Sequence, residues 1–169
     1  MQAELIVLRI IHVLGAIFWV GGSTFAAFFV LPAITQAGAA GGQVMAILLR
    51  RKVFVLMPIV ALVTMLAGIR LMMITSSGFR REYFAMPSGK TYAVSAILAV
   101  VAFLLGVVVA RPAVNRVSKL SQMASSDDFS KERIAAEISA LQRRAAAASR
   151  IGLVILWLAA IGMAVARYL

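Results

Sequence analysis

The sequence predicts an all-α fold: a polytopic membrane protein built as a four-transmembrane-helix bundle, with a cytoplasmic extension of the last helix. Three observations carry this. Of 169 residues, 63% are apolar and 14% charged, against roughly 45–50% and ~25% in a soluble globular chain. Four stretches reach the ~20 mostly apolar residues that a helix needs to cross a bilayer. None has the two-residue alternation or β-branched dominance of a membrane barrel. Residues 1–169 therefore read as a single membrane domain.

The first span covers about 5–31, with Arg9 and His12 near its start. No basic leader precedes it and no small-x-small site follows, so it is expected to stay in the mature protein. The second, about 53–74, contains Pro58 and Arg70, and the third, about 91–110, holds no charge. The fourth covers about 147–167, an apolar run over 151–166 extended backwards through the alanines at 145–148. Residues 41–42 and 88–90 read as loops, without the spacing of a phosphate-binding turn.

Between the third and fourth spans lies a helical loop, about 111–146. Over 127–150, Asp128 or Ser130 can cap a helix on which Ile134, Ile138, Leu141 and Ala145 share a face. One helix should run from there into the fourth span without a break. It reads as a solvated basic stalk or as a partner-docking helix.

Charge sets the expected orientation. The net charge is +11. Eleven basic residues fall in two loops, Arg50, Arg51 and Lys52 in the first, and Arg111, Arg116, Lys119, Lys131, Arg133, Arg143, Arg144 and Arg150 in the second. The other side has six: Arg9, Arg70, Arg80, Arg81, Lys90 and Arg167. The positive-inside bias then puts both termini outside a bacterial-type inner membrane. Tyr83, Tyr92 and Tyr168 fall at its outer boundary, where amphipathic rings are favoured. The basic loops meet anionic lipids, with Arg143, Arg144 and Arg150 at the headgroups, each worth about 1 kcal/mol. They lack interleaved aromatics, so nucleic acid is not an expected partner.

The chain has no cysteine and one histidine, which excludes disulfides, thiolate metal centres and any multi-histidine site within one chain. In the first span His12, Gly15, Ala16, Trp19, Gly22, Ser23 and Ala26 recur at steps of three and four and form one stripe. Small residues there let another backbone or a flat ligand come close. His12 lies eight residues beyond Glu4, ~12 Å along the helix. In the outer hydrocarbon its imidazole needs a partner. Arg70 approaches a similar depth, Lys90 opens the third span, and intramembrane ionisable groups are functional candidates. Neither Glu4 nor Glu82 is deep enough to neutralise Arg70, so an anion such as a haem propionate, a lipid phosphate or a quinone oxygen would satisfy it. The plainer readings are that Arg70 snorkels to the interface and that His12 bonds a neighbouring carbonyl. Met57, Met65, Met72, Met73 and Met86 are thioethers suited to Cu(I), although Met also fills gaps in cores.

The run from His12 through Trp19 to Gly22, followed by Phe28, Phe29 and Pro32, resembles the first helix of the copper-resistance protein D family. It is also similar to a helix of the bacterial membrane protoporphyrinogen oxidase family. Ser88-Gly89-Lys90 before the third span and Arg111-Pro112 after it add to the likeness. The resemblance implies a four-helix membrane bundle, with His12 at the position that ligates haem b and Lys90 at that of an essential lysine.

Three functions follow as expectations. In the first, the protein binds haem b as a redox protein or redox-complex subunit. His12 would be the axial metal ligand, Gly15, Trp19 and Gly22 would line the macrocycle, and Arg70 or Lys90 would hold propionates. In the second, it handles copper or a small solute through His12 and the methionines. In the third, it is a non-catalytic accessory subunit, packed into a homo-oligomer or a larger membrane complex.

Overall fold

The computed structural model describes the backbone of residues 2–123 and 128–169, and the side chains at those positions except 39 and 121–131. Capping by Asp128 or Ser130 falls outside the described side chains. The described residues contain helices and connecting turns and no strand. Helix α1 spans Gln2–Gln36, α2 Ala39–Arg50 and α3 Val53–Thr75. A short α4, Arg81–Ala85, precedes α5, Pro87–Leu120. Helix α6, Asp128–Val165, ends in a tighter turn at Ala166–Tyr168. Four of these, α1, α3, α5 and α6, are long and apolar enough to cross a membrane.

Proline chemistry explains an irregularity in α1 and α5. A helical proline lacks the N–H that would bond four residues back, and its ring crowds that carbonyl. Pro32 and Pro112 would collide with the turns at Phe28 and Val108. There the helices widen into π turns, over Ala26–Val30 and Leu105–Ala110, which accommodate the missing bond without ending the helix. A further wide turn at Ile17–Gly21 carries Trp19.

Because α5 continues past Pro112, the helix does not stop where the third apolar run ends, at residue 110. Residues Arg111–Met123 remain helical and lie against the start of α6, where Arg116 Nε donates to Glu137 Oε1 at 2.7 Å. The extension is thus a two-helix hairpin rather than one helix and a loop. Two expected loops are also helical. Gly41 and Gly42 lie within α2, and a Cβ at Gly41 would strike the Ile34 carbonyl where α2 folds back on α1. Ser88, Gly89 and Lys90 form the first turn of α5 behind Pro87, a position suited to a residue without an N–H. Gly89 is required there by the Tyr83 carbonyl, which a side chain would meet.

The core is centred on Trp19, 9% exposed, with Ala61 of α3, Ala99 and Ala102 of α5, and Leu156 and Ala159 of α6. Phe103 meets the indole edge-on, ring centroids 6.4 Å apart. So many small core residues bring the helix axes close, the usual device where apolar burial alone gives no drive to associate. At Gly162 of α6 a Cβ would run into the Ser95 hydroxyl of α5.

Candidate functional site

The α1–α3 seam holds the one histidine. Its contacts run in antiparallel register: Gly22 faces Met57, Gly15 faces Thr64 and His12 faces Gly68. The His12 ring is half-buried, and its Nδ1 lies 2.8 Å from the Thr64 carbonyl oxygen. A carbonyl only accepts, so Nδ1 carries the proton. In a neutral ring this arrangement leaves the lone pair on Nε2. Among the described residues Nε2 has no hydrogen-bond partner, and no fully buried side-chain nitrogen or oxygen is left unpaired. Nε2 is therefore not fully buried. Gly68 makes room for the ring, since a Cβ there would come within 2.7 Å of Cε1 and 2.9 Å of Nδ1.

The rest of the stripe is spent on packing. A Cβ at Gly15 would overlap the Thr64 hydroxyl, which itself donates to the Val60 carbonyl at 2.8 Å. At Gly22 it would come within 2.6 Å of Met57 Cε. Trp19 is the centre of the core. The space these residues leave is filled by α3, so a flat macrocycle has no slot between Gly15 and Gly22. The donor set fits axial ligation at one nitrogen only, on the outer flank of the seam.

Arg70 departs from expectation. Its Nη2 donates to Glu4 Oε1 at 2.6 Å and its Nε to the same oxygen at 2.9 Å. The carboxylate judged too shallow reaches it because α1 and α3 run antiparallel and the arginine side chain extends outward. The pair is 44% and 40% exposed. Exposed pairs contribute about 0.2–1 kcal/mol, so Glu4→Gln should lower thermal stability in detergent by no more than about 1 kcal/mol. Nη1 faces the Met73 sulfur at 3.9 Å.

Lys90 is exposed in the first turn of α5 and has no carboxylate partner among the described residues. The methionines do not converge: Met57 packs on Gly22, Met65 borders the core and Met73 lies beside Arg70. Among the described residues no group of three or more His, Cys, Asp or Glu side chains comes together. Depressions lined by Leu5, Ile6, Arg9 and Ile10, and by Thr75, Ser76, Ser77, Arg80, Glu82, Tyr83 and Met86, do not include His12.

Comparisons with protein-family models, curated proteins and solved structures found no match.

The residues missed in the sequence are those that hold the imidazole, Thr64 and Gly68. A small pair four apart on α3, facing a small stripe on α1, is a helix-crossing pattern and was the available signal. That Thr64 acts through its backbone oxygen has no side-chain signature at all.

Proposed function

We propose that the protein is an integral membrane protein that binds haem b on the α1–α3 seam, as a redox protein or a redox-complex subunit, with His12 as its axial ligand. One observation carries this reading. The Thr64 carbonyl accepts a hydrogen bond from Nδ1, which orients the ring and leaves Nε2 without a hydrogen-bond partner among the described residues. Ligating histidines commonly give their other N–H to a carbonyl or carboxylate in this way. The likeness of the first helix to the copper-resistance protein D and membrane protoporphyrinogen oxidase families points in the same direction.

Haem b bound there would supply one-electron chemistry at a potential set partly by its axial ligand. This chain's own part is to hold the imidazole against rotation, through Thr64 and the close wall of Gly68. Of the two cations considered for the propionates, Arg70 engages Glu4, whereas Lys90 has no carboxylate partner among the described residues. With no slot between Gly15 and Gly22, the outer face of the group would meet lipid or a second subunit. A visible spectrum of the purified protein in detergent tests the reading. A Soret band surviving gel filtration supports it, and a colourless preparation from haem-replete cells overturns it.

A second reading, an accessory subunit of a larger complex, is favoured by the exposed apolar flank of α1, which includes Ile10, Leu14, Ile17, Phe18, Phe25 and Phe29. Copper handling gains no comparable support from the dispersed methionines.

The charge asymmetry supports insertion into a bacterial-type inner membrane with both termini outside. A C-terminal alkaline phosphatase fusion should accordingly be active and a C-terminal fluorescent protein that matures only in the cytoplasm should be dark. The opposite pattern reverses the topology.

A further inference from the structure

We infer that the level at which α5 and α6 leave the apolar bundle is a binding site for the phosphate of an anionic phospholipid headgroup, built by Arg111, Arg143 and Arg144. The register of the two helices brings these residues together. On the bundle side, Leu105 Cβ lies 3.8 Å from the Cβ position of Gly152. On the hairpin side, Arg116 pairs with Glu137. Arg111 stands midway between Leu105 and Arg116, and the midpoint of 152 and 137 on α6 falls beside Arg144. Arginine positions from both helices therefore share one level along the pair.

Several cations carried at one level favour an anion among them. The described carboxylates of the hairpin do not serve. Glu137 is engaged by Arg116 at 2.7 Å, and Glu132 lies twelve residues before Arg144, about 18 Å along the helix. Among the described residues Arg143 Nη1 has only the Ser139 hydroxyl, at 3.4 Å. Among the described residues Arg111, Arg143, Arg144 and Arg150 have no acidic partner.

The position selects the anion. Arg111 follows the last apolar residues of the wide turn of α5 directly, and Arg150 immediately precedes the apolar run of α6. Arg144 is about 9 Å further out, within reach of a headgroup layer several ångströms thick for a side chain that can bend back toward it. Arg50, the last residue of α2, and Arg51 and Lys52, which join it to α3, are exposed at the same end. Arginine forks match phosphate oxygens in a two-point geometry that an ammonium cannot supply.

The test uses the full chain in a neutral detergent, titrated with dioctanoyl phosphatidylglycerol and followed by native mass spectrometry. Dioctanoyl phosphatidylcholine and inorganic phosphate are the comparison ligands. Phosphatidylglycerol should be retained in preference to both, and the triple variant Arg111→Gln, Arg143→Gln, Arg144→Gln should bind it on the order of 100-fold more weakly. Arg9→Gln, at the other end of the bundle, should change nothing. If the triple variant fails to fold, Arg111→Gln and Arg144→Gln singly should each weaken binding several-fold. Undiminished binding in the variants, equal retention of phosphatidylcholine, or equal affinity for inorganic phosphate would each overturn the assignment. None of these outcomes depends on haem.

Discussion

Replacing Gly15 by leucine is expected to separate α1 from α3 and to lower the thermal unfolding temperature in detergent more than any other single change along α1. The Cβ alone would overlap the Thr64 hydroxyl and come within 3.3 Å of Thr64 Cβ and 3.8 Å of its Cα. The hydroxyl cannot swing away cheaply, because it donates to the Val60 carbonyl. The obstacle behind it is backbone, so the helices must part. Overpacked interiors lose roughly 1–3 kcal/mol, and a whole isobutyl group belongs at the upper end. The control is Gly21→Ala, further along the same helix, where a Cβ meets nothing within 4 Å. Removing a helical glycine there should be neutral or stabilise by up to about 1 kcal/mol. Equal melting of both variants would mean that the α1–α3 seam does not limit stability.

The contrast between those glycines marks the limit of sequence reading in this chain. Four apolar runs and their order were legible because desolvation requires a minimum length of apolar residues, and that requirement is local. The stripe through His12, Gly15, Trp19 and Gly22 was legible as one face for the same reason. What fills that face was not. A glycine that admits a ligand and a glycine that admits Thr64 or Met57 are identical in sequence, and the difference is a helix crossing set by residues on α3, distant in the chain. The same applies to charge. Glu4 looked shallow because depth was counted along α1 alone, whereas its partner Arg70 ascends on the antiparallel α3 and reaches toward it. The helical hairpin was half-legible. The α6 side shows its periodicity, but Pro112 on the α5 side reads as a terminator, and only the wide turn before it lets the helix continue.

His12→Ala is expected to remove the Soret band of the haem-loaded protein and leave the bundle folded. The two effects separate because the imidazole contributes little to the scaffold. It is half-buried at the edge of the seam, outside the cluster around Trp19. Its hydrogen bond goes to a carbonyl that, inside α3, already accepts the backbone N–H four residues on. The lost bond is worth about 1 kcal/mol, whereas an axial ligand lost from a one-histidine chain has no substitute imidazole. Haem per protein should fall at least about tenfold, a ligand free-energy change of 1.4 kcal/mol or more, with circular dichroism unchanged. Gly68→Ala isolates orientation from identity. Its methyl would press on Cε1 at 2.7 Å and Nδ1 at 2.9 Å, turning the ring away from the Thr64 oxygen while leaving the histidine in place. The expected result is a shifted or weakened Soret band, intermediate between wild type and His12→Ala. A full-intensity band in His12→Ala would assign the ligand elsewhere and reduce His12 to a clasp between α1 and α3. An unperturbed band in Gly68→Ala would mean that the tautomer held by Thr64 does not govern binding.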